Sequence, residues 1–437
     1  MKDLTKGNIK RHLIMLMLPL ILGNILQQMY NTIDVMVIGR YAGELEFSAA
    51  VGVASSIMNL LLFVIVGACT GISVIFSQLY GGKREKEFRT EYFLALTLDG
   101  LISICLSVIA ILALPLLLRI TQTPKEIVNE TICYLRIVML GLPFAFLYNL
   151  YSALLRSTGN TSYTLLILFL SVLLNLFLDV LMVVYLRKGI SGAAWATITA
   201  QGLSALLSAF CFNRLLPNLK WRNEDRIWKK EQIKDTLRLG FVTAIHQTSL
   251  YIGKMMVQSA VNSTGTEVIA AYTAATRIEG VVNSFGDSGS AATSVVTAQN
   301  FGAGDQKRVK KTFCDSLVLL LCMGVACSAI LYALSEPAVA LVLGQRSGIA
   351  FDNATVYLKI IACFYTLCFT GNTFAGFLNG TGRVSIPFIG AASHITLRVV
   401  ISWRLIHIWK LPAVAVATGI GWIMVNIFWA IYVQMKK

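Results

Sequence analysis

Long apolar segments separated by short polar stretches run from one end of the chain to the other. Each has about the length that a helix needs to cross the hydrocarbon core of a bilayer, which is about 20 residues. The segments lie near residues 13–38, 48–79, 92–118, 132–154, 161–186, 189–213, 239–261, 269–299, 314–335, 355–378, 385–407 and 412–433. The pattern predicts an all-α integral membrane protein with about 12 transmembrane helices.

One polar stretch, residues 214–238, is much longer than the others and divides the chain into two halves of six predicted spans. Because each half has an even number of spans, both halves enter the bilayer in the same direction. We therefore expect two six-helix bundles, at residues 1–213 and 239–437, joined by a basic cytoplasmic linker at residues 214–238.

The two halves also resemble each other in sequence. Residues 49–81 align with residues 270–302 without a gap, and residues 155–159 align with residues 378–382. A repeat of this kind predicts two pseudo-symmetric bundles around a shared cavity, with the pseudo-symmetry axis along the membrane normal. This layout is typical of transporters.

The charged residues are few, and their distribution predicts the orientation. Only 14% of the 437 residues are charged, against about 25% in soluble domains, so a water-soluble globule is excluded. If the N-terminus is cytoplasmic, 24 of the 37 lysines and arginines fall in loops on that side and seven on the other. This bias follows the positive-inside rule and places both termini in the cytoplasm. The same bias accounts for the net charge of +15. We therefore do not expect nucleic-acid binding.

The cysteines give no indication of a metal site. All nine fall inside apolar runs, none forms a CxxC pair, and none has a histidine at the spacing of a zinc ligand. They are interpreted as small buried hydrophobic residues, and no metal centre is predicted from them.

Polar residues inside the spans of the first half form three stripes. The first span carries Asn24, Gln27, Asn31 and Asp34, the fifth carries Ser171, Asn175 and Asp179, and the sixth carries Thr197 and Gln201. Within each span the steps of three or four residues place these side chains on one helical face. Because lipid cannot satisfy them, the three stripes must face each other or water.

The two carboxylates in these stripes suggest a cation site. Placed close together in a low dielectric, Asp34 and Asp179 would repel, which favours proton uptake by one of them. The same oxygens, with the Asn175 amide and the Thr197 hydroxyl, could instead coordinate Na⁺. An alternative is a purely structural role, in which the aspartates only bracket a broken helix.

The second half carries a different set of polar residues. Lys254 and Gln258 lie on one face of the seventh span, and the eighth carries Asp287. Lys254 and Asp287 could form a buried ion pair or line a substrate cavity. His394 and Arg398 lie one turn apart on the eleventh span and could contact anionic substrate groups or only pack. The predicted substrate cavity thus comprises Asn31, Gln27, Gln201, Lys254, Asp287, Gln258 and Arg398.

Several short motifs together resemble the multidrug and toxic compound extrusion (MATE) family of transporters. They are residues 18–24 (LPLILGN), 30–34 (YNTID), 37–40 (VIGR), 77–81 (SQLYG), 156–160 (RSTGN), 175–179 (NLFLD), 192–197 (GAAWAT), 271–272 (AY), 276–279 (TRIE) and 299–304 (QNFGAG). The resemblance implies a MATE-type fold and export of organic, often cationic, compounds in exchange for H⁺ or Na⁺. It carries a cation or proton site onto Tyr30, Asp34, Asn175, Asp179 and Thr197.

One acidic site of the family is not matched. Some MATE proteins place acids on the seventh and tenth spans, where this chain has Leu250 and Cys368. Arg277 and Glu279 match the family pattern near the start of the eighth span and are interpreted as structural.

The expected function is secondary active multidrug efflux by alternating access, at a bacterial plasma membrane and without enzymatic activity. The expected partners are small organic molecules and the lipid bilayer, the expected state is a monomer, and no cofactor is expected beyond the coupling ion, H⁺ or Na⁺. One alternative is a flippase for lipids or lipid-linked oligosaccharides, which would need a strongly cationic cavity. A membrane-embedded transferase is less favoured because no DDxxD motif or histidine cluster occurs. A channel is also less favoured, because two unequal polar sites suit alternating access better.

Overall fold

The computed structural model describes the backbone of residues 3–41 and 45–435, and the side chains of residues 3–29 and 49–435. This part of the chain is almost entirely helical and contains no strand. Its α-helices are α1 (Ile9–Tyr41), α2 (Leu45–Gly81), α3 (Glu85–Leu94), α4 (Gly100–Leu112), α5 (Leu114–Ile120), α6 (Val128–Leu140), α7 (Leu142–Ser157), α8 (Thr161–Asp179), α9 (Gly189–Leu215), α10 (Lys230–Asn262), α11 (Thr266–Gly302), α12 (Gln306–Ala333), α13 (Ser335–Leu343), α14 (Ile349–Ala362), α15 (Tyr365–Gly380), α16 (Ser385–Trp409) and α17 (Leu411–Met435). Two π-helical segments, Ala95–Asp99 and Val180–Tyr185, follow α3 and α8.

The helices have the lengths and composition of a polytopic membrane protein. In the described residues, eight continuous helical segments are long and apolar enough to cross a membrane, and two bent pairs would each make a further span. The pairs are α6 with α7, bent by 43°, and α14 with α15, bent by 53°. Helices α10 and α11 have the length of a span, with 33 and 37 residues, but a more polar composition. Together these elements match the twelve spans that hydropathy predicts.

The chain forms two compact units. One contains Leu22–Ala244, and the other contains Leu4–Ile21 together with the segment from Ile245 onward. Helices α1 and α10 therefore each contribute residues to both units. The domain boundaries derived from the sequence remain a prediction, but α10 itself begins at Lys230 rather than near residue 239. Hydropathy detects only the apolar part of this helix, and its first turns carry Glu231, Lys234 and Asp235.

In the first unit, glycines allow α2 and the beginning of α10 to approach closely. A Cβ atom at Gly67 would lie 2.6 Å from both the Ala244 Cα and the Thr243 carbonyl oxygen, and one at Gly71 would meet the Leu239 carbonyl oxygen. The Thr243 hydroxyl donates a hydrogen bond to the Gly67 carbonyl, at 2.7 Å. Small residues four apart are a common device for packing membrane helices at short distance.

We expect Gly67→Val to destabilise the protein because the added side chain has no space against α10. Overpacking of this kind costs about 1–3 kcal/mol or more, and backbone atoms cannot yield as a flexible side chain would. Gly52→Val, on the same helix with no atom within 4 Å of the added Cβ, is the matched control. Thermal unfolding in detergent should show a lower midpoint for the first variant alone, and equal midpoints would contradict the packing argument.

The linker after α9 is held against α3 by a buried ion pair. The Arg89 Nε atom donates to Asp225 Oδ2 at 2.8 Å, and the two side chains are 12% and 0% exposed. The same Asp225 oxygen accepts a hydrogen bond from the backbone N–H of Arg222 at 2.9 Å. Further along, the Thr236 hydroxyl donates to Glu91 Oε1 at 2.6 Å. These contacts fix the linker and the start of α10 within the first unit.

Arg89→Gln is expected to lower the free energy of unfolding by about 3–5 kcal/mol, because it leaves the buried Asp225 carboxylate without its counter-charge. Arg84→Gln is the matched control. Its pair with Glu87, at 3.4 Å, is exposed on both sides, and such pairs contribute less than about 1 kcal/mol. Denaturant titration of the two purified variants measures the difference, and similar losses of stability would contradict a structural role for the buried pair.

In the second unit, hydrogen bonds hold the beginning of the described chain, and a glycine allows two helices to approach closely. Arg308 donates to the carbonyl oxygens of Gly7 at 3.0 Å and Leu4 at 3.2 Å, which connects the beginning of the described chain to the first turn of α12. In the same unit, a Cβ at Gly380 would lie 2.6 Å from the Ser294 carbonyl, so α15 packs tightly on α11. This packing fixes the register between the two helices that surround the polar residues of this unit.

Candidate functional site

Helix α8 places an aspartate and an asparagine together inside the first unit. Asp179 is the last residue of α8, where the helix passes into the π-helical segment Val180–Tyr185, and Asn175 lies one turn earlier. Both side chains are buried, at 1% and 3% exposure. Among the described residues, neither the oxygen nor the nitrogen of the Asn175 amide has a hydrogen-bond partner. An unmade buried hydrogen bond costs about 1–3 kcal/mol, so this amide is prepared for a ligand or water.

The neighbouring helix α9 carries two more of the polar residues predicted for this unit. The Thr197 hydroxyl donates to the Ala193 carbonyl at 3.0 Å, which leaves its oxygen lone pairs as acceptors. The Gln201 Oε1 atom is buried without a partner. It lies beside Gly141, where a Cβ would be 3.0 Å away, at the bend between α6 and α7. Gln201 therefore lies against this bend.

Part of the predicted cation site lies outside the described side chains. Tyr30, Asn31 and Asp34 belong to α1, but only their backbone is described. Gln27, on the same helix, is exposed. The structure thus brings together Asn175 and Asp179, while the proximity of Asp34 to them stays a prediction.

In the second unit, Lys254 and Asp287 do not form the direct ion pair that was one of two alternatives. Within the described residues, no nitrogen–oxygen distance of 4.0 Å or less joins them, although the Lys254 charge acts on the Asp287 carboxylate. Both side chains are exposed, which agrees better with a lining role than with a buried pair. Gln258 instead donates to Asn262 Oδ1 at 2.8 Å.

A buried cluster surrounds Glu279, which the sequence analysis interpreted as structural. Glu279 lies within α11, is 8% exposed, and accepts hydrogen bonds on both carboxylate oxygens. Tyr357 donates to Oε2 at 3.0 Å and Tyr365 donates to Oε1 at 3.1 Å. Arg398, on α16, acts electrostatically on this carboxylate. The sequence did not indicate that two tyrosines satisfy this carboxylate.

Sequence reasoning also missed an acid in the first unit. Asp99 ends the π-helical segment after α3, is 7% exposed, and its Oδ2 atom has no partner among the described residues. It occupies a span that hydropathy treated as uniformly apolar. π-Helical segments occur often at functional sites, and here one precedes α4 at Asp99 and another follows Asp179.

Comparison with known proteins agrees with this architecture. The sequence model of the MatE family matches the chain twice, at residues 19–181 and 243–404, which independently supports the internal repeat. The probable multidrug resistance protein YpnP of Bacillus subtilis (strain 168) is 30% identical over 387 residues, or 88% of this chain and 84% of that protein. The probable multidrug resistance protein YoeA of the same organism is 26% identical, over 95% of this chain and 91% of that protein.

Solved structures show the same fold. A multidrug resistance MATE family transporter of the MOP superfamily, in an outward-facing conformation, superposes with a TM-score of 0.91 at 21% identity, covering 99% of this chain and 97% of that one. The double sequence match over most of the chain, the relative at 30% identity and this fold lead to one conclusion. The chain belongs to the multidrug and toxic compound extrusion (MatE) family of membrane transporters.

Proposed function

We propose that this protein exports organic compounds across a bacterial plasma membrane in exchange for H⁺ or Na⁺. The names of YpnP and YoeA as probable multidrug resistance proteins support a broad substrate range. The proposal includes alternating access of a substrate cavity and both termini in the cytoplasm, as the distribution of basic residues suggests.

The observation that carries the proposal is the buried pair on α8. Asp179 is a carboxylic acid inside a membrane helix, and the Asn175 amide one turn away has no partner in the described structure. Charged and polar groups at this depth are expensive and are usually functional. A structural capping role would satisfy the Asn175 amide within the protein, whereas an amide that ligates a cation needs no protein partner of its own.

Two chemistries fit this pair of residues. Protonation removes the charge of the carboxylate and its desolvation penalty. Alternatively, Na⁺ is a hard cation that prefers oxygen ligands, and Asp179, the Asn175 carbonyl oxygen and the Thr197 hydroxyl would supply three. In the proposed cycle Asp34 joins them from α1, and cation binding favours the state that releases substrate. Such coupling requires that cation and substrate bind the alternating states with different affinities.

Reconstitution into proteoliposomes tests the proposal. The measurement is the rate at which ethidium, a fluorescent organic cation, is transported away from the cytoplasmic face of the protein. It is made with a pH gradient, with a Na⁺ gradient, and with neither. We expect one of the two gradients to accelerate transport and thereby to identify the ion. Transport that responds to neither gradient would overturn the proposal.

A further inference from the structure

Arg398 has hydrogen-bonding capacity that the protein does not use. It lies on α16 and is half-buried. Its Nη2 atom donates to the Tyr272 hydroxyl over 3.4 Å, and its Nε atom is buried without a partner among the described residues. A guanidinium group carries five N–H donors, and a charged donor that is buried without an acceptor is costly.

The nearby carboxylate of Glu279 does not accept hydrogen bonds from these Arg398 donors. Glu279 offsets the charge of Arg398, but both its oxygens already accept hydrogen bonds from Tyr357 and Tyr365. No ion pair of 4.0 Å or less joins Glu279 to Arg398 in the described part of the chain. Both carboxylate oxygens therefore already have tyrosine partners.

One further basic side chain lies one turn from Arg398, and another lies on the neighbouring helix α10. His394 is one turn earlier on α16, and the centroids of its ring and the Trp422 ring are 6.3 Å apart. Its Nε2 atom is buried without a partner among the described residues. Lys254 follows Gly253, whose missing side chain leaves room for Ile395 of α16. Lys254 is exposed, and its charge acts on the same Glu279 carboxylate as that of Arg398. Both charges therefore act on the one carboxylate of Glu279.

We propose that Arg398, supported by Lys254, forms a subsite for the anionic group of an amphipathic substrate, either a carboxylate or a phosphate. This rests on the proposed export function. A carboxylate or phosphate accepts N–H donors of Arg398 in the planar geometry that such groups share. Lys254 adds a second positive charge that acts on the same Glu279 carboxylate as Arg398. The adjacent Trp422 offers a flat apolar surface for the rest of the molecule.

The chemistry of the site therefore extends the substrate class beyond simple organic cations. A compound with a cationic or aromatic body and one acidic group would use this subsite through its acidic group. A purely packing role for Arg398 requires that its polar atoms be satisfied by the protein, and its Nε atom is not satisfied by any described residue.

Binding to the purified full-length protein in detergent tests the subsite. The probes are pyrenebutyrate and pyrenebutanol, which differ in the carboxylate, and binding is read from energy transfer between tryptophan and pyrene. We expect wild-type protein to bind pyrenebutyrate at least about 10-fold more tightly, since a hydrogen bond to a charged group changes affinity by about 10–100-fold. Arg398→Gln should remove this preference while affinity for pyrenebutanol changes by less than about twofold. Arg404→Gln, at an exposed position of the same helix, is the matched control and should keep the preference.

The controls separate a binding role from a structural one. Arg398→Lys retains the charge and should keep part of the preference for pyrenebutyrate. Equal affinities of wild-type protein for the two probes would overturn the subsite, even if the protein exports ethidium under a gradient. An equal loss of affinity for both probes in Arg398→Gln would also overturn the subsite, because that result indicates altered packing. Competition by decanoate and by decyl phosphate then identifies the acidic group, and stronger competition by the phosphate would point to a lipid headgroup.

Discussion

Asp179→Asn is expected to abolish gradient-driven efflux. The substitution keeps the size and polarity of the buried side chain but removes the only negative charge in the described part of α8. An amide neither takes up a proton near neutral pH nor offers a full charge to Na⁺. Loss of a charged interaction of about 1.5–3 kcal/mol corresponds to a 10–100-fold weaker cation site. The measurement is the initial rate of ethidium transport in proteoliposomes under the gradient that drives the wild-type protein.

Two comparisons make this result specific. Asp352→Asn, at an exposed position in the first turn of α14, should transport at the wild-type rate. Asn175→Ala should weaken Na⁺-driven transport more than proton-driven transport, because it removes an oxygen ligand and leaves the carboxyl group intact. If Asp179→Asn transports at the wild-type rate, the assignment of the cation site to α8 is wrong.

The spans could be predicted from the sequence because lipid imposes a strong and simple requirement on each of them. In the described residues, eight helical segments and two bent pairs have the required length and apolar composition, and hydropathy joined the halves of both pairs. It could not predict the bends themselves, which occur at Gly141 and near Cys363, since the apolar composition is continuous across both. It also placed the start of α10 too late, because the polar first turns of this helix pack on α3 through Thr236 and Glu91.

The candidate sites were predictable to different degrees, for a physical reason. Asn175 and Asp179 are four residues apart on one helix, and such local spacing can be read directly from the sequence. Glu279, Tyr357 and Tyr365 come from three helices, and two of their hydrogen bonds join residues 78 and 86 positions apart. Only the packing of α11 with α14 and α15 reveals that the tyrosine hydroxyls satisfy the carboxylate. The sequence therefore indicated a polar second unit without indicating which groups remain unsatisfied.

Glu279→Ala is expected to lower the free energy of unfolding by about 3–5 kcal/mol, the range for removing one partner from a buried charged group. The change leaves the Tyr357 and Tyr365 hydroxyls, both on fully buried side chains, without an acceptor, and Arg398 without the charge that offsets its own. Glu267→Ala, in the exposed first turn of the same helix, should cost less than about 1 kcal/mol. Thermal unfolding of the purified variants in detergent, followed by tryptophan fluorescence, measures both.

Adding Tyr357→Phe and Tyr365→Phe to Glu279→Ala should recover part of the loss of stability, because it removes the two hydroxyls that have lost their acceptor. If the triple variant is no more stable than Glu279→Ala, the loss comes from the cavity and not from the broken hydrogen bonds.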